Sequence, residues 1–224
     1  MTITNEDNME LMARYEDNHF DLAIVDPPYF DGPNKLGYYG SNVSGSGVVR
    51  KGYKEIGTWQ LPEEKYFNEL LRVSKNQIIW GINYYAKYTE SVGRIIWDKV
   101  NGSSSFSDCE IASCSIHDSV RMYSYMWNGF MQGSSANGKK MEGNKSLNEK
   151  RIHPTQKPIK LYEWLLMNYA KKDDKILDTH LGSGSIAIAC HQLGFDLTAC
   201  ELDKEYFETA MKRIENHQAQ IRMF

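Results

Sequence analysis

The stretch from Lys175 to Asp203 restricts the fold more than any other part of the chain. Lys175 to Asp178 reads as a short apolar strand that breaks into the glycine turn Leu181-Gly182-Ser183-Gly184-Ser185. Small residues at helical spacing continue to about Leu193, and Phe195 to Cys200 reads as a second strand ending on Glu201 and Asp203. Strand, glycine turn, helix and strand make a βαβ unit, the building block of a doubly wound α/β sheet. Gly182 and Gly184 permit a sharp turn and a close approach of backbone to a ligand. An acid at the tip of the following strand stands where ribose hydroxyls are bound. The signal is weak by itself. Gly182-Ser183-Gly184-Ser185-Ile186-Ala187 also fits a degenerate dinucleotide fingerprint, which keeps a nicotinamide-dependent oxidoreductase open, and a glycine pair after a strand is often a plain turn.

The rest of the chain alternates in the same way. Asp21 to Val25 is a buried strand stopped by Asp26-Pro27-Pro28. Residues 37–57, rich in Gly, Ser and Tyr and carrying Arg50, Lys51 and Lys54, read as a mobile loop. From Pro62 the spacing of Tyr66, Phe67, Leu70 and Leu71 predicts a helix. Gln77 to Trp80 and Arg94 to Trp97 are further strands, with a short helix near Tyr84 and Tyr85 between them. Glu110 to Ile116 and Val120 to Trp127, joined by His117-Asp118-Ser119, predict a hairpin. The polar segment 133–150, with Lys139, Lys140, Lys145 and Lys150, should be poorly ordered without a partner. Helices then follow around Leu161, Trp164, Leu165 and Tyr169, and around Tyr206, Phe207, Ala210, Met211 and Ile214. The 224 residues suffice for a single α/β domain over 1–224, with 101–151 as a small antiparallel insertion.

Composition removes several classes. The four cysteines include no close Cys-x-x-Cys pair, so neither a disulfide scaffold nor a zinc site is expected, and no metal is assigned. No apolar run approaches the ~20 residues needed to span a bilayer, and no leader pattern is visible, so a soluble cytoplasmic protein is expected. The net charge of -3 argues mildly against a polyanionic partner. Phosphate contacts, however, need only a local basic surface.

Asp26-Pro27-Pro28-Tyr29 suits one difficult piece of chemistry. The prolines fix φ and remove two backbone donors, so their carbonyls are expected to point outward unpaired beside a carboxylate and a ring. An aromatic amino group is a poor nucleophile because its lone pair is delocalised. The Asp26 carboxylate and Pro27 carbonyl could hold both amino hydrogens and favour a pyramidal nitrogen, while Tyr29 stacks on the ring. The bland alternative is a rigid turn at a strand end.

Three stretches in order, Asp26-Pro27-Pro28-Tyr29, His153-Pro154-Thr155-Gln156-Lys157-Pro158 and Asp178-Thr179-His180-Leu181-Gly182-Ser183-Gly184-Ser185, resemble the beta class of DNA amino methyltransferases. The resemblance extends over nearly the whole chain. Ile95 to Lys99 with Phe106 to Glu110 is similar to the central segment of that class, and Glu6-Asp7-Asn8-Met9 resembles the short acidic segment that reaches the adenine of the cofactor. What it implies is a Rossmann-like class I methyltransferase fold with a mixed sheet, circularly permuted so that the catalytic motif precedes the cofactor motif.

The same resemblance implies S-adenosylmethionine as cofactor and double-stranded DNA as substrate. A flipped base would be gripped at Asp26, Pro27, Pro28 and Tyr29. Cofactor contacts carried over by position are Asp7, Asp26, Thr155, Gln156, Lys157, Pro158, Asp178, Thr179, Gly182, Ser183, Gly184, Ser185, Glu201 and Asp203. In that class a leading Asp leans towards the 6-amino group of adenine and a leading Ser towards the 4-amino group of cytosine. A homodimer and a bacterial or viral role, such as restriction–modification, follow by analogy. The family loop more often reads Asp-Pro-Phe-x-Gly-Ser-Gly-Thr; Thr179, His180 and Ser185 depart from it, and the missing Phe leaves one face of the adenine pocket open to question. A fold-retaining but inactive DNA-binding module is disfavoured because the residues of both motifs are present.

Target selection is expected from 101–151 and the loop from Asn34 to Lys54, with Arg50, Lys51, Lys54, Lys139, Lys140 and Lys145 on phosphates and Tyr38, Tyr39 and Tyr53 stacking on displaced bases. Trp80, Tyr84, Tyr85 and Trp97 are expected in the core. His153, before a proline, reads as a packing residue with no proton transfer.

Overall fold

The computed structural model describes residues 1–29, 42–43, 49–50, 61–101, 107–128, 131–133, 136–137, 140–141 and 143–220. In chain order its main elements are β1 (Thr2–Thr4), α1 (Asn8–Met12), β2 (Leu22–Val25), α2 (Glu64–Val73), β3 (Gln77–Trp80), α3 (Ile82–Tyr85), β4 (Gly93–Asp98), β5 (Cys109–Cys114), β6 (Val120–Ser124), α4 (Ile159–Tyr169), β7 (Lys175–Asp178), α5 (Ser185–Leu193), β8 (Asp196–Cys200) and α6 (Lys204–Gln218). The eight strands form one sheet in the order β1-β8-β7-β2-β3-β5-β4-β6. Neighbours are parallel throughout except around β5, which is antiparallel to both β3 and β4. The mixed, doubly wound α/β sheet expected from the sequence is therefore present.

Strand β2 shows why the sheet is covered on both sides. All four of its residues are buried, and the period of two sends Leu22 and Ile24 to one face and Ala23 and Val25 to the other. On the first face they meet Leu161 and Leu165 of α4, Ile186 of α5 and Ile214 of α6. On the second they meet Leu11 and Met12 of α1 and Phe67 and Leu70 of α2. In α2 the buried residues are Tyr66, Phe67, Leu70 and Val73. Leu71, expected on that face, is 39% exposed, because a residue one step past Leu70 is rotated off the inner stripe and Val73 completes the stripe instead.

The predicted hairpin of 110–116 with 120–127 does not form. Strand β5 inserts between β3 and β4, pairing Ile79 with Ser113 and Ile95 with Ala112, and β6 lies on the far side of β4. Gly93 makes this crossing possible. A Cβ there would stand 1.9 Å from the His117 carbonyl oxygen and 2.5 Å from that of Cys114, so the β5–β6 connection can pass over the start of β4 only because the residue is glycine. Apolar alternation identifies strands but not their partners, and that is where the hairpin expectation went astray. Consequently 101–151 is not a separate hairpin module, because Cys109–Cys114 and Val120–Ser124 are both strands of the main sheet.

Beyond the sheet, Trp127–Asn128 pairs with Met131–Gln132, and Ala136–Asn137 with Lys140–Met141. The described part of 133–150 is thus folded, and its end is tied down by polar bonds rather than by apolar burial. Gln132 Nε2 donates to the Glu149 carbonyl, and the Glu149 N–H donates to Gln132 Oε1. Among the described residues no helix is long and apolar enough to cross a membrane.

Replacing fully buried Leu70 with Ala should lower the unfolding free energy by about 2–5 kcal/mol, whereas Leu71→Ala should cost well under half of that. Urea unfolding of the two variants beside the parent checks the assignment of the inner face.

Candidate active site

Strands β2 and β7 are adjacent and parallel, with Leu22 opposite Ile176 and Ala23 opposite Leu177. From there the chain leaves in opposite directions, β7 through α5 to β8 and β2 through α2 to β3. Such a switch point opens a crevice beyond the carboxyl ends of the strands. A cavity of about 760 Å³ occupies it, and its wall includes both Asp26 and the Gly182–Ser183 turn. Asp7, Pro28, Thr155, Gln156, Lys157, Thr179, Glu201 and Asp203 also line it. Pro27, Tyr29, Pro158, Asp178, Gly184 and Ser185 do not.

The glycine turn is braced from three sides. Gly182 (φ 54°) and Gly184 (φ 72°) both adopt left-handed backbone. The Gly182 N–H donates to Glu201 Oε2 at 2.8 Å and the Asp203 N–H to Glu201 Oε1 at 2.9 Å. Burial raises the Glu201 carboxyl above its usual range, while these backbone donors pull the other way. Each oxygen keeps a further lone pair for an outside donor. Gly184 allows α6 to approach: a Cβ there would lie 3.0 Å from Ile214. Ser183 and Ser185 hydrogen-bond each other at 3.0 Å, and Arg213 donates to the Ser183 carbonyl and to Ser185 Oγ. Asp7 and Asp203 serve as helix caps, accepting from Met9 N–H and from the N–H groups of Glu205 and Tyr206. Pro158 immediately precedes α4, and its carbonyl accepts from the Leu161 N–H. Asp178 is buried behind the wall, accepts the His180 N–H at 3.0 Å, and is pushed up to about 8 by burial.

At the end of β2, Asp26 Oδ2 is ion-paired with Lys157 Nζ, whose side chain is only 2% exposed. Lys157 also meets Glu110 Oε2 at 2.9 Å, and Glu110 Oε1 meets Lys99 Nζ at 2.6 Å. Burial drives the Asp26 carboxyl up, with Lys157 opposing. For Glu110, burial would also raise the carboxyl, but Lys157 and Lys99 outweigh it and hold it down at about 2. Asp26 Oδ1 is buried and has no hydrogen-bond partner among the described residues.

The proline carbonyls are not both unpaired, as the sequence suggested. That of Pro28 accepts a bond from the Tyr85 hydroxyl, since Tyr85 on α3 folds back beneath the turn. Tyr29 stacks on Tyr84, with ring centroids 5.0 Å apart and planes 14° apart. Tyr84 is 51% exposed and so is not a core residue, whereas Trp80, Tyr85 and Trp97 are buried as expected. Gly81 (φ 72°) is required beneath this pair, because a Cβ would come within 2.3 Å of the Tyr29 ring.

Sequence reading overlooked a polar chain along the opposite wall. Asn8 Nδ2 donates to His180 Nε2 (3.2 Å), so the neutral ring carries its proton on Nδ1 and donates to Thr179 Oγ1 (2.9 Å). The Thr179 and Tyr66 hydroxyls share a further hydrogen bond at 2.7 Å. Burial lowers His180 to about 3, which keeps it neutral. Its ring lies at the place of the missing Phe and lines the cavity. His153 is likewise neutral, lowered to about 4 by burial, and bonds Thr155 Oγ1 at 3.1 Å. Lys51, Lys54, Lys139, Tyr38, Tyr39 and Tyr53 lie outside the described residues. For Arg50, Lys140 and Lys145 only the backbone is described, in two short ladders and a 3-10 turn.

The chain resembles known proteins over most of its length. A family model described as DNA methylase matches residues 117–212, from within the β5–β6 connection to α6. The Type II methyltransferase M2.DpnII of Streptococcus pneumoniae is 26% identical over 249 residues, covering 96% of this chain and 90% of its own. The crystal structure of the M1.HpyAVI–SAM complex superposes with a TM-score of 0.58 at 22% identity, covering 95% of this chain and 98% of its own. PvuII DNA methyltransferase, described as cytosine-N4-specific, gives a TM-score of 0.54 at 12% identity, covering 96% and 90%. At these identities the two structures speak for the fold.

The raised Asp178 carboxyl carries a stability signature. Its folded-state pKa stands above its unfolded value, so it favours the folded state at low pH and opposes it increasingly as pH rises from about 4 to about 8. Asp178→Asn should raise Tm at pH 8 by several degrees, at about 2–4 °C per kcal/mol, and the gain should vanish by pH 4 in thermal melts.

Proposed function

We propose that this chain, which belongs with the DNA amino methyltransferases, transfers a methyl group from S-adenosylmethionine to the 6-amino group of adenine within a short DNA sequence. The coarser activity, methylation of an exocyclic amino group in DNA, has the support of the family match and of relatives aligned along nearly the whole chain. The observation that carries the amino-methylation chemistry is Asp26 Oδ1, a buried acceptor without a partner among the described residues, on the wall of the cavity that also holds the glycine turn, and the leading Asp of the Asp26-Pro27-Pro28-Tyr29 motif supports adenine over cytosine. A buried acceptor left unsatisfied costs about 1–3 kcal/mol unless a ligand donor completes it.

A cavity of about 760 Å³ lies within the ~300–1,000 Å³ range of small-molecule sites. The residues present fit a nucleoside cofactor: a glycine turn on the cavity wall, Glu201 with lone pairs for ribose hydroxyls, and a neutral His180 ring on the wall. When bound, S-adenosylmethionine supplies an already activated methyl group. The protein's task is then alignment and charge stabilisation. Asp26 Oδ1 accepts one amino hydrogen and the Pro27 carbonyl the other, which exposes the nitrogen lone pair towards the methyl donor. As positive charge develops on nitrogen, the Asp26 carboxylate stabilises it.

The base must leave the duplex to reach Asp26, at a cost of a few kcal/mol. Tyr29, backed by Tyr84, recovers roughly 1–3 kcal/mol by stacking. Target selection is assigned to 34–54 and to 125–151. Lys139, Lys140 and Lys145 are assigned to phosphates. Relatives named as Type II methyltransferases extend the proposal to DNA modification of the restriction–modification kind.

Asp26→Ala should reduce methyl transfer at least about 100-fold while binding of S-adenosylhomocysteine, followed by calorimetry, is largely kept. Full activity in that variant would reject the mechanism. Mass spectrometry of nucleosides from DNA treated with the parent protein should show 6-methyladenine; 4-methylcytosine instead would reassign the base. Joint replacement of Lys139, Lys140 and Lys145 by Ala should flatten the salt dependence of DNA binding, by about 0.9 in log–log slope for each phosphate that is no longer neutralised. An unchanged slope would remove these lysines from the interface.

A further inference from the structure

Four charges of alternating sign run through the floor of the site: Asp26, Lys157, Glu110 and Lys99. They come from four separate places in the fold, namely the end of β2, the segment before α4, the second residue of β5 and the residue following β4. The side chains of Asp26, Glu110 and Lys99 are 16%, 18% and 16% exposed, and Lys157 is nearly sealed. Indole rings flank both ammonium groups, with Lys157 Nζ 5.4 Å from Trp80 and Lys99 Nζ 5.2 Å from Trp97. Neither Glu110 nor Lys99 lines the cavity.

We propose that Glu110 and Lys99 are positioning residues for methyl transfer, which act through Lys157 to keep Asp26 Oδ1 unpaired and turned towards the amino group. The inference rests on the reading of Asp26 given above. With Asp26 as its sole counter-ion, the Lys157 ammonium would be free to close on both carboxylate oxygens. Glu110, on the other side of Nζ, draws the ammonium back, so that it engages Oδ2 and leaves Oδ1 without a partner among the described residues. Lys99 in turn limits how strongly Glu110 competes, because it holds the other Glu110 oxygen at 2.6 Å.

The remaining titratable groups facing Asp26 do not alter this balance near neutral pH. The phenols of Tyr29, Tyr85 and Tyr162 are all raised by burial and stay protonated. Asp178, raised to about 8, is predominantly neutral at pH 7. The signs are therefore definite: Glu110 pushes the Asp26 carboxyl up, while Lys157 and Lys99 pull it down.

Glu110→Gln and Lys99→Met should consequently move the acid limb of the kcat–pH profile in opposite directions. The assay uses tritiated S-adenosylmethionine and DNA prepared from a methylation-deficient strain. The limb should fall by about half a pH unit or more in Glu110→Gln and rise by a similar amount in Lys99→Met. In both variants kcat should drop several-fold while KM for S-adenosylmethionine changes less than twofold. Lys99→Arg, which retains the charge, should return the limb towards its parental position, and it supplies the test with Lys99→Met if Glu110→Gln does not fold. Limbs that stay put, or that move the same way in both variants, would overturn the positioning role while leaving the activity intact. A parent protein that transfers no label to DNA would overturn the functional reading itself.

Discussion

The parallel pairing of β2 with β7 at the centre of the sheet is the constraint on which the site depends. The two strands are separated by about two thirds of the chain, yet they lie side by side, and both stop abruptly at the same edge. One stops because two prolines remove ladder donors, the other because Gly182 and Gly184 turn the chain back. Opposite crossovers leave the space beyond them open, so a carboxylate from one half of the sequence and a glycine turn from the other come to share one cavity. Permuting the order of the two halves along the chain has no effect on this geometry, because adjacency in the sheet is independent of connection order.

A second layer of organisation is electrostatic. Sealing an ammonium such as Lys157 away from water costs several kcal/mol, which only close counter-charges and good geometry offset. That requirement explains why β5, the one antiparallel strand of the sheet, matters to a site built on parallel ones. It brings Glu110 within 2.9 Å of Lys157 and so ties the segment 153–157 to the floor of the cavity. Glu149 and Arg213 form a comparable tie on the other flank. Glu149 accepts the Ile159 N–H and pairs with Arg213, and Arg213 also holds the Ser183 carbonyl. The end of the polar segment is thereby linked both to the start of α4 and to the glycine turn.

The departures from the family pattern at Thr179 and His180 acquire a physical meaning in three dimensions. An aromatic ring is still supplied at that wall, now with nitrogen atoms that need partners. Asn8 and Thr179 provide them, which fixes the tautomer, and Tyr66 bonds Thr179 in turn. Burial keeps both His180 and His153 neutral across the physiological range, so neither adds charge where a cationic cofactor would sit.

Local features of the sequence were enough to read the strands on either side of the site, the turn at Gly182–Gly184, the carboxylate at Asp26 and the doubly wound class. Each of these is written in adjacent residues, as a period of apolar positions, a pair of glycines or a proline-stopped strand. What the sequence could not decide is which elements become neighbours. Alternation marks β5 and β6 as strands but says nothing about β4 coming between them, a placement that turns on the absent Cβ of Gly93. Glu110 and Lys99 look like ordinary strand-edge charges until the fold buries them beside Lys157. Periodicity and turn chemistry act over a few residues and survive in the one-dimensional string. Ion pairing, burial and the choice of sheet partner act between residues far apart in the chain, and only the tertiary structure settles them.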